Sequence, residues 1–373
     1  MARTLVGLDI GTSGVRAAEF ALHRHKVTLR KFAAVPLSQG VVRAGSVVDA
    51  DALTEALKTL WSRGKFGTKS VALGIANAGV LVRQMDLDWM PPADFGKALR
   101  YQVEDALPIP VDDANLDYHL LEEVEVETEG QAPRKVARIL LVAAAREMVD
   151  AFVEATDRAG LRTVSVDLLP FALIRARTPE RGEDTDEVEA IVDLGADTVT
   201  VVIHRGGAPR YVRMIPGIGG ETVTQAVQQR YDWTWEDAER TKVYVGLPGH
   251  ARLEPAQESA APRTDGLDHP AQQVVVPAVQ TLVDEISTTL DYYRSSTGAD
   301  VVGESSSEVQ RVLLTGAASR LGGFPELLAE RLGVPVEPLS VTGHVRTPRR
   351  VKLADGDTES LVVPAGLCVG AAR

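Results

Sequence analysis

The chain has 373 residues, 45% of them hydrophobic and 25% charged, with a formal net charge of −12. Such a length usually divides into more than one core and the composition is that of a folded protein, so at least two globular domains are expected. The acidic balance argues against general nucleic-acid binding, no apolar run reaches the roughly 20 residues of a membrane span, and the lone Cys368 excludes an internal disulfide framework and suits the reducing cytoplasm.

In chain order, strands are expected at 5–9, 15–22 and 27–35, with no N-terminal signal ahead of the first. Asp49 or Asp51 caps a helix through Trp61, whose Leu53, Ala56, Leu57 and Leu60 share one face. A buried strand follows at 71–76. Residues 94–107 carry Phe95, Leu99, Val103 and Ala106 at helical spacing and stop at Pro108-Ile109-Pro110. Strands at 116–127 and 135–144, joined by a polar turn at 129–131, lead into a helix over 146–159 that Gly160 ends. Helix, strand, strand, helix reads as a compact α+β subdomain inserted into the first domain. A strand at 163–167, a helix at 170–177 and an acidic linker at 180–189 complete the first half.

The second half expects strands at 190–192 and 199–203 and helices at 221–231, 235–245 (Thr234 as N-cap), 277–296 and 324–332, with a strand at 309–314. Residues 247–269, rich in Pro, Ala, Gly and charge, read as a surface loop. The domains are accordingly 1–79 and 161–187 for the first lobe, 80–160 for the insertion and 188–373 for the second lobe.

One short phrase occurs twice. Asp9-Ile10-Gly11-Thr12 and Asp193-Leu194-Gly195-Ala196 each sit between two apolar runs, so each reads as a strand–turn–strand hairpin. The glycine lets backbone N–H groups approach an anion, and two facing hairpins make a clamp for a polyphosphate. The two aspartates then stand where they hold a metal ion directly or through water.

On these residues the chain resembles the actin-like ATPase superfamily. The phosphate loops resemble Leu8–Ser13 and Val192–Thr198, and the adenosine loop resembles Leu313-Leu314-Thr315-Gly316-Ala317-Ala318-Ser319-Arg320-Leu321. Within the superfamily it is similar to the PilM family of type IV pilus assembly proteins, related to FtsA. The segments that carry this are Gln102–Pro110 followed by Leu116-Asp117-Tyr118, Leu141–Arg146, Val166–Leu173 and Ala365–Arg373. The resemblance implies an α/β, actin-like (ribonuclease H-like, duplicated) two-lobed ATPase fold with an inserted α+β subdomain in the first lobe.

It also implies ATP and Mg²⁺ as ligands. Gly11, Thr12 and Ser13 would donate to the β- and γ-phosphates from one lobe, and Gly195 through Thr198 from the other. Asp9 and Asp193 would hold Mg²⁺. Arg16, where relatives carry Lys, resembles a phosphate contact, although it also reads as an outward surface arginine. Gly316, Ala317 and Ser319 would pass beneath the adenine and α-phosphate. Glu239 and Lys242, three apart on one helical face, resemble an acid and a lysine aimed at the nucleoside; a surface ion pair is the alternative. Gly219-Gly220 resembles a loop closing on the nucleotide.

Relatives place a water-orienting acid or amide where this chain has Leu169, which cannot orient or deprotonate water. Asp167, two residues earlier, is the substitute candidate. The implied function is an ATP-binding adaptor, cytoplasmic and peripheral to the inner membrane, that takes the N-terminal cytoplasmic segment of a PilN-like inner-membrane protein in a groove beside the insertion. ATP turnover is weak or absent on this reading. Direct membrane insertion is not expected and self-association is open. An FtsA-like filament protein and a small-molecule, sugar-type kinase are the alternatives.

Overall fold

The computed structural model describes residues 3–23, 26–126, 134–177, 187–250, 269–297, 308–341, 345–348, 351–353 and 356–371. The turn expected at 129–131 lies outside these, as do most of the acidic stretch 180–189 and most of 247–269.

Runs of Val, Leu and Ala with β-branched or small neighbours build the first sheet. Strands β1 (Arg3–Ile10), β2 (Gly14–His23) and β3 (Lys26–Pro36) form an antiparallel meander. A short hairpin of β4 (Val42–Arg43) and β5 (Ser46–Val47) precedes helix α1 (Ala50–Gly64), which the Asp49 carboxylate caps by accepting from the Ala52 N–H at 2.9 Å. Strand β6 (Ser70–Ile75) then pairs parallel with β1.

The inserted segment carries one strand more than expected. It begins with a strand not anticipated from the sequence, β7 (Leu81–Asp88), followed by α2 (Pro92–Gln102), β8 (Ala114–Val126) and β9 (Arg134–Ala145). These make a separate three-stranded sheet in the order β7-β9-β8, packed around Phe95, Leu99, Val103, Ile139 and Leu141. Helix α3 (Arg146–Arg158), expected within the insertion, packs on the first lobe. Its Phe152 and Ala155 pack with Leu53 and Leu57 of α1, and Arg158 pairs with Asp51. Strand β10 (Arg162–Leu168) closes the first sheet beside β6, and α4 (Leu169–Arg177) follows directly.

The second lobe repeats the first. Strands β11 (Val188–Leu194), β12 (Thr198–Arg205) and β13 (Ala208–Pro216) form the meander. Helices α5 (Gly220–Tyr231), α6 (Trp235–Val245) and α7 (Gln272–Thr297) follow. Helix α7 starts five residues before the expected Pro277, which lies inside the helix. Then come β14 (Arg311–Thr315), α8 (Phe324–Leu332), β15 (Val336–Pro338), β16 (Val345–Arg346), α9 (Asp357–Ser360) and α10 (Val362–Gly370). The sheet orders are β10-β6-β1-β2-β3-β16 and β13-β12-β11-β14-β15. Over five strands both run third, second, first, then two parallel strands, and the first sheet adds β16 outside β3.

Two helices lie between the sheets. Leu169, Ala172 and Leu173 of α4, with Val362, Leu367 and Cys368 of α10, share one buried cluster with Phe20 of the first sheet and Ile191 and Val202 of the second. Charge reinforces this junction. Arg177 of α4 donates to buried Glu189 of β11 at 3.1 Å, and Arg311 of β14 donates to the same carboxylate. His204 of β12 has its Nε2 3.4 Å from Glu189 Oε2, while its Nδ1 accepts from the Gly207 N–H.

Burial holds the His204 pKa down to about 4, against 6.5 when solvated; Glu189 opposes the shift, and Arg177 and Arg311 add to it. Between these values the unfolded chain binds a proton that the folded one refuses. The stability that neutral His204 contributes is therefore complete above about pH 6.5 and is lost as pH falls toward 4. Thermal melts of wild type and His204→Gln across this range check it. Wild type should lose ground relative to the variant as pH drops; parallel curves would contradict the assignment.

Candidate functional site

Because the sheets share one strand order, equivalent residues meet at one place. Asp9 near the end of β1 stands opposite Arg16 and beside Gly74, and Asp193 near the end of β11 stands opposite Thr200 and beside Thr315. Both aspartates line an open cleft between the lobes, with Gly11, Thr12, Ser13 and Arg16 on one side and Gly195, Asp197, Thr198, Gly316 and Ala317 on the other.

Each turn is closed by its own backbone. Gly11 N–H donates to Gly14 O at 3.0 Å, and Gly195 N–H to Thr198 O at 3.1 Å. These two amides are therefore spent, contrary to their expected role as anion donors. The amides of Thr12 and Ser13 make no backbone hydrogen bond among the described residues. Gly316 is required for a different reason: its φ is +90°, and a Cβ there would lie 2.5 Å from Asp193 Oδ1.

The carboxylates are electrostatically stressed. Burial raises the Asp9 pKa, partly offset by Arg16. Burial also lifts Asp193 to about 7, with the charge of Asp9 adding to the rise and Arg16 opposing it. Arg16 does not point outward. Its guanidinium lies 3.6 Å from Asp9 Oδ2 and 3.3 Å from Ser13 Oγ, inside the cleft.

Other expected site residues have structural duties. The N–H groups of Gly220 and Glu221 donate to Gly195 O and Ala196 O at 2.9 and 2.8 Å, so the start of α5 buttresses the Gly195–Thr198 turn and these amides are already paired. Lys242 is buried, its Nζ shared among Glu239 Oε2 at 2.6 Å, Thr224 Oγ1 at 3.0 Å and Gly220 O at 3.1 Å. Glu239 and Lys242 thus knit α6 to α5 and neither lines the cleft. Ser319 Oγ donates to Gly316 O at 2.6 Å, closing the turn after β14.

Leu169 lies in the cleft at the start of α4. Asp167 does not join it: its carboxylate pairs with Arg175 and lines a second hollow. The expected shared face of residues 167 and 169 fails because β10 ends at Leu168 and the chain turns into a helix.

Sequence reasoning missed two cleft features. The Ala44 N–H, at the tip of the β4–β5 hairpin, donates across the cleft to Asp197 Oδ2 at 3.0 Å. Asn77 Nδ2 steadies that tip through Ala44 O, Gly45 O and Ser46 Oγ at 3.2, 2.9 and 2.8 Å. The other feature is the segment Gly356–Val363, whose Glu359 and Ser360 form part of the cleft wall. No local motif marks either, since both depend on segments distant in sequence.

The sequence profile of the family described as type IV pilus assembly protein PilM matches residues 7–265, and that of the cell division protein FtsA matches residues 190–352. FtsA of Escherichia coli K12 is 32% identical over 114 residues, which are 30% of this chain and 26% of that protein. FtsA of Agrobacterium fabrum is 33% identical over 173 residues, 42% of this chain and 37% of that one. The chain thus matches less than half the length of these curated relatives. A solved PilM–PilN type IV pilus biogenesis complex aligns with a TM-score of 0.81 at 22% identity over 100% of both chains. MreB5 of Spiroplasma citri bound to AMPPNP aligns with a TM-score of 0.53 at 12% identity over 99% of this chain and 96% of that one. At these identities the structures establish the fold, that of the actin-like ATPases. With the PilM profile spanning more than half of its residues, the chain belongs to the PilM family of type IV pilus assembly proteins.

Proposed function

We propose that this chain is a cytoplasmic ATP-binding adaptor of the type IV pilus inner-membrane assembly complex. The observation that carries the reading is the convergence of two Asp-x-Gly turns, from two sheets of one strand order, on a single cleft. ATP lies there with its phosphates between the Thr12-Ser13 and Ala196–Thr198 turns and its nucleoside toward Gly316-Ala317. The AMPPNP bound to the MreB relative lends weight to a nucleotide in this fold.

Mg²⁺ fits the residues present. Asp9 and Asp193 are two recessed carboxylates that disfavour each other's charge, and a dication held by them stabilises both as anions. Among the described residues no group of three or more His, Cys, Asp or Glu side chains is placed to hold a metal ion. That suits Mg²⁺, which is commonly held by one or two carboxylates and completed by phosphate and water. When bound, the ion neutralises phosphate charge, while Arg16, 3.6 Å from Asp9 Oδ2, contributes a further fixed positive charge.

The ligand assignment has a clean test. A Cβ at Gly11 meets nothing closer than 3.4 Å, so Gly11→Asp adds a negative charge without a steric clash. In calorimetric titration, Gly11→Asp and Asp193→Asn should each weaken Mg-ATP binding by about tenfold or more. Unchanged titration of both variants would sink the assignment.

Turnover is slow on this reading, because Leu169 is the side chain at the start of α4 in the cleft and it holds no proton or water. Steady-state hydrolysis should fall below about 1 s⁻¹, the low end for enzymes, and Leu169→Glu should raise it. Fast wild-type turnover would contradict this.

The partner is the N-terminal cytoplasmic segment of a PilN-like inner-membrane protein, as the PilM–PilN complex suggests. It recruits the chain to the membrane, and among the described residues no helix is long and apolar enough to cross one. The second hollow suits an extended peptide: it lies between Tyr118, His119 and Val142 of the inserted sheet and Phe171, Ile174 and Arg175 of α4. A short peptide entering a preformed groove loses little conformational freedom. Fluorescence anisotropy with the PilN cytoplasmic peptide and a scrambled version tests this. The native peptide should bind more tightly, and exposed His119→Glu should weaken it by about tenfold while leaving Mg-ATP binding intact. Equal, weak binding to both peptides rejects the adaptor.

A further inference from the structure

We propose that the β4–β5 hairpin is a latch that holds the two lobes closed over the cleft and sets how fast its ligand leaves. The identity of that ligand rests on the ATP reading; the closure itself does not. The hairpin belongs to the first lobe, and its Val42 and Gly45 line the cleft beside Ala76. Val42 pairs with Val47 and Arg43 with Ser46, which leaves Ala44-Gly45 as a two-residue turn with φ of +47° and +72°. The strand pairing engages Arg43 and Ser46, so the Ala44 N–H is left to donate outside the hairpin. It donates to Asp197 Oδ2 of the second lobe at 3.0 Å. Alanine takes a left-handed conformation at a cost that glycine avoids, and the tip keeps it because its surroundings hold it there.

Those surroundings all belong to the first lobe. Asn77, just after β6, donates through Nδ2 to Ala44 O, Gly45 O and Ser46 Oγ, and its Oδ1 accepts the Gly79 N–H at 2.7 Å. A Cβ at Gly45 would collide with the Ala76 carbonyl, so the turn is seated directly on that segment. The tip therefore moves with the first lobe while its amide reaches the second. Charge follows the same route. Burial raises the pKa of Glu221 at the start of α5, Asp197 adds to the rise, and Arg43 of the hairpin opposes it.

The strength of these contacts suits a latch. The apolar cluster between the sheets, which reaches the cleft at Leu169 and Val363, joins the lobes through many buried side chains. The hairpin's hold is one hydrogen bond to a carboxylate and one screened charge pair, few enough to break and re-form while the cluster stays intact. A ligand in the cleft is released more readily while that bond is open, so the latch contributes to its residence time.

Two measurements on the full chain test this. In the first, exposed Ser62→Cys on α1 and Glu236→Cys on α6 are spin-labelled, buried Cys368 staying unreacted, and the interlobe distance is followed by pulsed EPR without ligand. Asp197→Ala and Asn77→Ala should each broaden the distance distribution relative to wild type. In the second, a fluorescent ATP analogue with Mg²⁺ is chased with unlabelled ATP in a stopped-flow instrument. Dissociation should be about tenfold faster in each variant, the worth of one such hydrogen bond, with Asp197→Asn, which keeps an acceptor oxygen, in between. Asn77 does not line the cleft and acts through the hairpin, so the double variant should be no faster than either single one. Identical distance distributions in wild type and both variants overturn the latch. Unchanged dissociation in both variants does the same, as do effects that multiply in the double variant, since each residue would then act on its own. If wild type binds no nucleotide while the distributions broaden as expected, the ATP reading fails and the latch stands.

Discussion

Two aspartates that repel each other are brought to one cleft by the ends of two sheets. Asp9 and Asp193 occupy matching positions on the central strands of the two sheets, and burial together with Asp9's charge lifts the Asp193 pKa to about 7. A chain selected for stability alone would not keep such a pair, since isolated buried carboxylates cost several kcal/mol apiece. Much of the rest can be understood as holding the pair in place. The interlobe cluster around α4 and α10 packs between the sheets, and Arg177 ties α4 to Glu189, which Arg311 also holds, at the far end of the second sheet. Arg16 offsets part of the repulsion from the first lobe alone. Its counterpart on the second lobe is Thr200, so the duplication is not symmetric in charge.

Helix α4 is the physical link between the two proposed binding sites. Leu169 at its start lies in the cleft, whereas Phe171, Ile174 and Arg175 line the hollow against the inserted sheet. Under the proposed function, a change in lobe angle on nucleotide binding would move this helix relative to the inserted sheet across the hollow, and with it the width of the peptide groove. Coupling between the sites then needs no contact between their ligands, only a helix shared by two walls. The hydrogen bond from Ala44 N–H to Asp197 spans the cleft opening and adds a second connection between the lobes.

The sheets were legible because their strands are apolar and bounded by turn residues, and the paired Asp-x-Gly turns marked the cleft without any structure. What the sequence concealed shares a cause. Strand β7 is an edge strand whose residues are mostly half-exposed or exposed, so its pattern never separated from a loop. Helix α3 has an amphipathic face that reads the same whichever lobe it covers. Gly219-Gly220, Glu239 and Lys242 sit next to the nucleotide loops in space but are consumed by the α5–α6 packing, which only coordinates reveal. Asp167 lost its expected role because alternation stops where a strand becomes a helix. Glu359 was invisible because its place in the cleft depends on a segment nearly 350 residues from Asp9 in the chain.

The account stands on both hairpins gripping one ligand, and hydrogen–deuterium exchange tests that most directly. Amide exchange is followed over residues 9–16 and 193–200 in the free protein, with Mg²⁺ alone, and with Mg-ATP. Mg-ATP should protect both segments together, and the β4–β5 hairpin with them, while Mg²⁺ alone should do much less. Protection confined to one hairpin, or none at either, would contradict a two-sided clamp.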